Sequence, residues 1–153
     1  ALMHTLDIAW SEDYATGIDI IDEQHKKLFE YFAQVDSMTH TGSEDDIRYI
    51  VKQLLDYAIS HNSFEEGLME EAGYPMAASH KKIHDAFKER AQSYEQKINN
   101  ESKPKKLARE IRIDIGLWLI NHIKREDRHY VNDVKAYLKK TSRKRKPLFG
   151  LLG

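Results

Sequence analysis

Residues 57–69 read Y-A-I-S-H-N-S-F-E-E-G-L-M and predict the second half of a long helix. His61 and Glu65 are four residues apart, so on a helix they lie on one face. That face also carries apolar residues at helical spacing: Ile47, Ile50, Val51, Leu54, Ala58 and Leu68. Because a buried carboxylate without a partner is very costly, Glu65 needs one. A metal ion is one such partner, and three other segments offer ligands for it.

The composition fits a single soluble helical domain. A chain of 153 residues is long enough for one domain with its own core, and its scarce Gly (7) and Pro (3) suit helices with short connections. The absence of Cys excludes disulfides and thiolate metal sites, so any metal must use His, Asp or Glu. Neither a signal peptide nor an apolar run of about 20 residues is recognisable, so we expect a cytoplasmic protein without a membrane span.

Helical periodicity predicts two helices in the first half of the chain. The first runs from about residue 19 to residue 40, with His25 on its apolar side. Taken alone, His25 is better explained as an ordinary core histidine than as a ligand. The second helix begins after Ser43, whose pairing with Asp46 resembles a capping box, and continues to about Glu71.

A third helix, with Pro75 in its first turn, carries His80 and His84 four residues apart. Two imidazoles at this spacing can bind one metal ion from a single helix face. The alternative is a pair of surface histidines on a Lys-rich segment. However, both histidines share the apolar stripe of Phe87, which favours the metal site. The segment H-K-K-I-H also lacks the glutamate of a zinc protease helix.

A fourth helix begins near Pro104 and carries His122 on its inner side. Asp127 follows five residues later, which is one too many for a regular helix face. We therefore expect the helix to end or bulge there, so that Asp127 swings back toward the same site. Residues 128–140 then predict a short, separate amphipathic helix.

These segments predict an all-α protein, an up-down-up-down antiparallel four-helix bundle with a short C-terminal helix. An N-terminal arm, residues 1–17, is anchored by Trp10 and Tyr14. All four helices bring ligand-type side chains to the core: His25, His61, Glu65, His80, His84, His122 and Asp127. Five imidazoles and two carboxylates suit two metal ions better than one, and they are compatible with iron, zinc or manganese.

Several motifs resemble the hemerythrins, most closely the bacterial ones. They are W-S…G-I-D-I-I-D-E-Q-H-K-K-L-F, HxxxE, G-Y-P…HxxxH and W-L-x-N-H-I-x-x-x-D, spread over about residues 8–138. The resemblance implies a di-iron, oxygen-binding domain over residues 1–138 and a basic tail or linker over residues 139–153. Its cofactor would be two non-haem iron ions with a bridging oxo or hydroxo group, and its partner would be dioxygen, bound reversibly.

The resemblance also implies a role for each ligand. One iron, coordinatively filled, would be held by His80, His84 and His122. The iron with the open site would be held by His25 and His61, and both irons would be bridged by Glu65 and Asp127. Because five of the seven donors are neutral, unlike those of ferritin-like oxidases, we expect an oxygen carrier or store and not an enzyme. Two alternatives remain open: a sensor of oxygen or redox state, and a di-iron enzyme that scavenges oxygen, peroxide or nitric oxide.

Three further residues are candidates for the ligand pocket. Leu119 and Trp118 precede His122 by about one turn and are expected to form its wall, although Trp118 is equally compatible with plain core. Asn62 stands where the family commonly has Phe. A polar side chain near the open iron would admit water, nitric oxide or small anions and hasten oxidation; alternatively, Asn62 points toward another helix.

The C-terminal residues 139–153 contain six basic side chains and no acidic one. A solvated tail or linker explains them best, and weak contact with an acidic membrane surface or a protein is an alternative. No nucleic-acid partner is expected. The remaining histidines, His4, His40 and His129, are expected on the surface.

Overall fold

The computed structural model describes residues 8–152, with side chains described up to residue 142, and its described part contains helices and no strand. The four helices are α1 (Asp19–Thr41), α2 (Glu44–Glu71), α3 (Ala77–Asn100) and α4 (Pro104–Leu152). They form the predicted up-down-up-down antiparallel bundle. Helices α2 and α4 each contact all three of the other helices. Among the described helices, none is both long and apolar enough to cross a lipid bilayer.

The ends of α2 follow from local sequence. The Ser43 hydroxyl accepts a hydrogen bond from the Asp46 backbone N–H, and the Asp46 carboxylate accepts one from the Ser43 N–H, which confirms the predicted capping box. Beyond the other end, Gly73 has a φ of 68°, a left-handed conformation that favours glycine. Helix α3 begins at Ala77, so Pro75 lies in the preceding turn and not, as predicted, in the first helical turn.

Helix α4 is continuous, which corrects two predictions. It neither ends nor bulges at Asp127, and residues 128–140 are not a separate short helix. Residues five apart are separated by about 140° around a regular helix, and here the side chains span that angle. The ring of His122 and the carboxylate of Asp127 meet with 3.1 Å between Nε2 and Oδ1. No break in the backbone is therefore required.

The ligand-type residues form a layer between two apolar clusters. Along α1, the order is Ile21 in the smaller cluster, then His25, then Leu28 in the larger cluster. Along α2 the order is reversed, from Ala58 in the larger cluster to Met69 in the smaller one. This reversal is what antiparallel packing requires, and it brings the polar residues of neighbouring helices to the same level of the bundle.

The N-terminal arm lies against the bundle, as predicted for its described part. Tyr14 stacks on Phe29 with ring centroids 5.1 Å apart, and Trp10 meets the same ring edge-on at 6.2 Å. Ile8 packs so closely on α4 that a Cβ added at Gly116 would lie 2.5 Å from its Cδ1. Residues 1–7 of the predicted arm, including His4, lie outside the described residues.

Two carboxyl groups meet on the seam between α2 and α3, at a distance from the histidines. Burial, a hydrogen bond with Asp56 and the charge of Asp56 together raise the pKa of Glu95 to about 7, while Lys52 opposes the shift. Glu95 thus keeps its proton in the folded protein at pH values where an unfolded chain has lost it. The pair favours folding only while it shares that proton.

We expect the free energy of unfolding to fall as pH rises from about 4.5 to about 7, because the unfolded Glu95 ionises near 4.5 and the folded one near 7. Glu95→Gln should flatten this part of the pH profile and make the protein relatively more stable at pH 8. Urea unfolding at several pH values measures this. An unchanged slope in Glu95→Gln would contradict the shared proton.

Candidate metal centre

All seven predicted ligands are buried in the bundle interior, and none is more than 4% exposed: His25, His61, Glu65, His80, His84, His122 and Asp127. The five imidazoles present Nε2 toward the centre of the ligand layer. The alternative for the α3 pair, two surface histidines, is therefore wrong. By contrast, His40 and His129 are exposed, as predicted.

Three imidazoles converge with one carboxylate at one side of the layer, here called the three-histidine group (His80, His84, His122 and Asp127). The Nε2 atom of His122 lies 3.1 Å from that of His80 and 2.9 Å from that of His84. Asp127 Oδ1 lies 3.3 Å from His80 Nε2 and 3.1 Å from His122 Nε2. Three ring nitrogens this close need a shared cation or protons between them.

The remaining ligands form a two-histidine group (His25, His61, Glu65 and Asp127). His61 Nε2 lies 3.0 Å from Glu65 Oε1, and His25 Nε2 lies 3.3 Å from Asp127 Oδ2. The second Glu65 oxygen is 3.9 Å from His25 Nε2. Asp127 therefore turns one oxygen to each group, as a bridging carboxylate would.

The donor set fits metal ions. In each group, the possible ligand atoms all lie within 4.8 Å of one another. Several of these buried atoms have no hydrogen-bond partner among the described residues: His25 Nε2, His61 Nε2, Glu65 Oε1 and both oxygens of Asp127. Imidazole and carboxylate donors suit iron, zinc and manganese. Metal ions would satisfy these buried groups, which otherwise carry a large desolvation cost.

Charge coupling keeps the carboxylates ionised. Burial alone would raise the pKa of Asp127, but the close imidazoles of His122, His25 and His80 hold it well below its usual value. Burial and the charge of Asp127 would raise the pKa of Glu65, yet His61 and His25 lower it overall. Burial lowers the pKa of His84 to about 4, so its ring is neutral at pH 7. Ionised carboxylates and a neutral imidazole are the forms that bind metal.

Sequence reasoning missed two side chains that hold the ligands. Gln24 Oε1 accepts a hydrogen bond at 2.7 Å from Nδ1 of His61, which leaves Nε2 free for a metal. The Tyr130 hydroxyl donates to Oε2 of Glu65, with both groups buried. Both contacts join distant parts of the chain. The available signals were the position of Gln24 next to His25 and the spacing of Tyr130, three residues after Asp127.

Two of the three predicted pocket residues, Trp118 and Asn62, lie near the three-histidine group. Trp118 stacks on the ring of His122, with centroids 4.5 Å apart and planes 13° apart, and Leu119 is 3% exposed in the main core. Asn62 lies in a cleft of about 80 Å³ between α2 and α3, which His84 and Glu66 also line. Asn62 thus faces α3, the second of the two orientations expected for it.

Comparison with known proteins agrees with this geometry. Residues 16–134 match the family model described as "Hemerythrin HHE cation binding domain". The chain belongs to the hemerythrin family. It is 34% identical over 136 residues to a bacteriohemerythrin of Stenotrophomonas maltophilia, covering 89% of this chain and 87% of the relative. It is 30% identical to a bacteriohemerythrin of Clostridium acetobutylicum, covering 80% of this chain and 98% of the relative.

The fold comparison leads to the same family. The crystal structure of wild-type hemerythrin aligns with a TM-score of 0.73 at 25% identity, covering 82% of this chain and 96% of the other chain. The family resemblance inferred from the motifs is therefore confirmed. Membership supports a role in binding metal and oxygen, and the ligand layer holds the residues that could bind the metal.

The hydrogen bond from Tyr130 to Glu65 yields a stability prediction. Tyr130→Phe leaves a buried carboxylate oxygen without its donor, so we expect unfolding to become easier by about 1–3 kcal/mol. Tyr137→Phe is the matched control, because the Tyr137 hydroxyl bonds to the exposed Glu71 at 2.9 Å; its expected cost is below about 0.5 kcal/mol. Denaturant unfolding measures both. Equal effects of the two variants would contradict a special role for Tyr130.

Proposed function

We propose that the protein binds dioxygen reversibly at a non-haem di-iron centre and acts as an oxygen carrier or store. The observation that carries the proposal is the pair of buried ligand groups that share Asp127. Two such groups suit two ions, and the shared carboxylate suits a bridge between them. The bacteriohemerythrin relatives, which match most of the chain, support the choice of iron.

Each ligand has a role in this proposal. His80, His84 and His122 would hold one iron, and His25 and His61 would hold the second, where a small molecule would bind. Asp127 and Glu65 would serve as the carboxylates shared by the two irons, together with an oxo or hydroxo group. In the structure Asp127 belongs to both ligand groups, whereas Glu65 lies in the two-histidine group. The iron pair would supply the electrons for dioxygen binding. The chain holds the ligands in place and surrounds them with two apolar clusters.

The balance of donors supports binding over catalysis. Five of the seven ligands are neutral imidazoles, whereas ferritin-like oxidation sites use mostly glutamates. A site with fewer anionic ligands stabilises highly charged iron less strongly. The apolar clusters on both sides also limit the access of water, which controls the redox properties of such sites. Both features favour taking up dioxygen and releasing it unchanged.

A sensor function is the second candidate, and helix α4 favours it. The same unbroken helix carries His122 and Asp127 and continues to Leu152, so it joins the ligand layer to the basic segment of residues 139–153. A movement of either ligand could be transmitted along α4 to a protein partner. A carrier needs no such connection. Oxygen-dependent binding of a partner to residues 139–153 would favour the sensor.

Iron loading and gas exchange test the proposed function. Protein loaded anaerobically with ferrous salt should hold two iron ions per chain, become coloured in air and lose the colour under argon over repeated cycles. Iron analysis and visible spectra measure this. Fewer than two ions, or no colour in air, would refute the proposal. Consumption of more than one dioxygen per iron pair would identify an enzyme instead.

The cleft beside His84 yields a further prediction about oxidation. Asn62 is 4% exposed, its amide Nδ2 has no hydrogen-bond partner among the described residues, and it lines the cleft between α2 and α3. Asn62→Phe should fill this space beside His84 with an apolar ring, keep water away from the three-histidine side of the metal centre and so slow autoxidation of the oxygenated protein. Asn62→Ala, which removes the amide without filling the cleft, is the control. Spectral decay rates in air measure both, and no slowing in Asn62→Phe would eliminate the idea.

A further inference from the structure

The outward-facing nitrogens of the two ligand groups have different surroundings. When Nε2 of a histidine binds a metal, Nδ1 carries the hydrogen and becomes a donor. In the two-histidine group, Nδ1 of His61 has a neutral acceptor, the Gln24 amide oxygen, at 2.7 Å. In the three-histidine group, Nδ1 of His84 faces a carboxylate, with Glu66 Oε1 at 3.5 Å.

Glu66 can approach His84 more closely than it does here. A separation of 3.5 Å is too long for a good hydrogen bond, and Nδ1 of His84 has no hydrogen-bond partner among the described residues. The Glu66 side chain is 20% exposed and lines the cleft of about 80 Å³, so it has room to rotate. A metal bound at Nε2 of His84 would keep a hydrogen on Nδ1, and this N–H would attract the Glu66 carboxylate.

The lysines of the cleft act on Glu66 through their charge, but neither forms an ion pair with it among the described residues. Lys81 forms an ion pair with Asp85, with its Nζ 3.0 Å and 2.9 Å from the two carboxylate oxygens. Lys88 also lines the cleft. These three side chains belong to α3, whereas Glu66 comes from α2, directly after the ligand Glu65. The same helix therefore contributes a ligand to one group and an outer partner to the other.

We infer that Glu66 is a positioning residue for His84, and that its carboxylate makes the three-histidine group the stronger site for a highly charged metal ion. This inference rests on the proposed metal centre and adds an asymmetry to it. A carboxylate behind a ligating histidine fixes the ring and strengthens its donor nitrogen. Gln24 fixes His61 in the same way without a charge. The two groups therefore differ in metal affinity and in redox potential.

Cobalt binding tests the inference independently of oxygen chemistry. Metal-free protein is titrated with cobalt(II), and the visible absorption of the bound ion is followed. Removing an outer partner typically weakens metal binding about 10- to 100-fold. We expect Glu66→Ala to weaken one binding step by that factor, and Glu66→Gln, which keeps an acceptor, to weaken it less. The control is Asp85→Asn, which makes the same charge change in the same cleft.

The redox potential separates positioning from a merely structural effect. In the iron-loaded protein, Glu66→Gln should shift the midpoint potential to a more positive value, because the charge behind His84 is lost. Asp85→Asn should leave it unchanged. Wild-type cobalt affinity in Glu66→Ala, or equal potential shifts in Glu66→Gln and Asp85→Asn, would overturn the inference. Failure of the wild-type protein to bind dioxygen would overturn the proposed function alone, since the cobalt titration would still measure the effect of Glu66.

Discussion

The structure depends on how five imidazoles and two carboxylates are accommodated in an apolar interior. Unpaired carboxylates at this depth would be strongly destabilising, and Asp127 has no exposed surface at all. The bundle brings all seven groups to one level, so that each carboxylate lies next to imidazole nitrogens. That arrangement leaves several buried donor and acceptor atoms without hydrogen bonds, and cations are the partners that would satisfy them.

The two apolar clusters fix the position of this polar layer along the bundle axis. Each helix enters the layer from one cluster and leaves it into the other, so its ligands cannot slide along the bundle axis without breaking apolar contacts. Helix α4 does this without interruption. Its regular backbone places His122 in the three-histidine group and Asp127 between the two groups, so Asp127 belongs to both. A break in the helix would have made the position of this shared carboxylate less certain.

The long-range contacts of the layer explain why some of its members escaped prediction. Helix boundaries and the inner faces follow from local periodicity, and the seven ligands stood out because charged or polar side chains interrupted apolar stripes. Gln24 lies 37 residues before its partner His61, and Tyr130 lies 65 residues after Glu65. Neither residue breaks a stripe, so the local signals are weak: Gln24 is next to His25, and Tyr130 lies three residues after Asp127. The five-residue spacing of His122 and Asp127 predicts a helix break, but the two side chains are long enough to meet across a continuous helix.

The sequence by itself determined the helices, their antiparallel order and the residue types that face inward, because these depend on spacing along one helix at a time. Helical spacing left open which ligands share a group. The family resemblance implied that grouping and the bridging role of Asp127, but only the tertiary structure brings those atoms together and shows which side chains lie behind the imidazoles. Those relations depend on the rotation and height of four helices relative to one another. Packing of the two apolar clusters sets both quantities, and no local pattern in the chain encodes them.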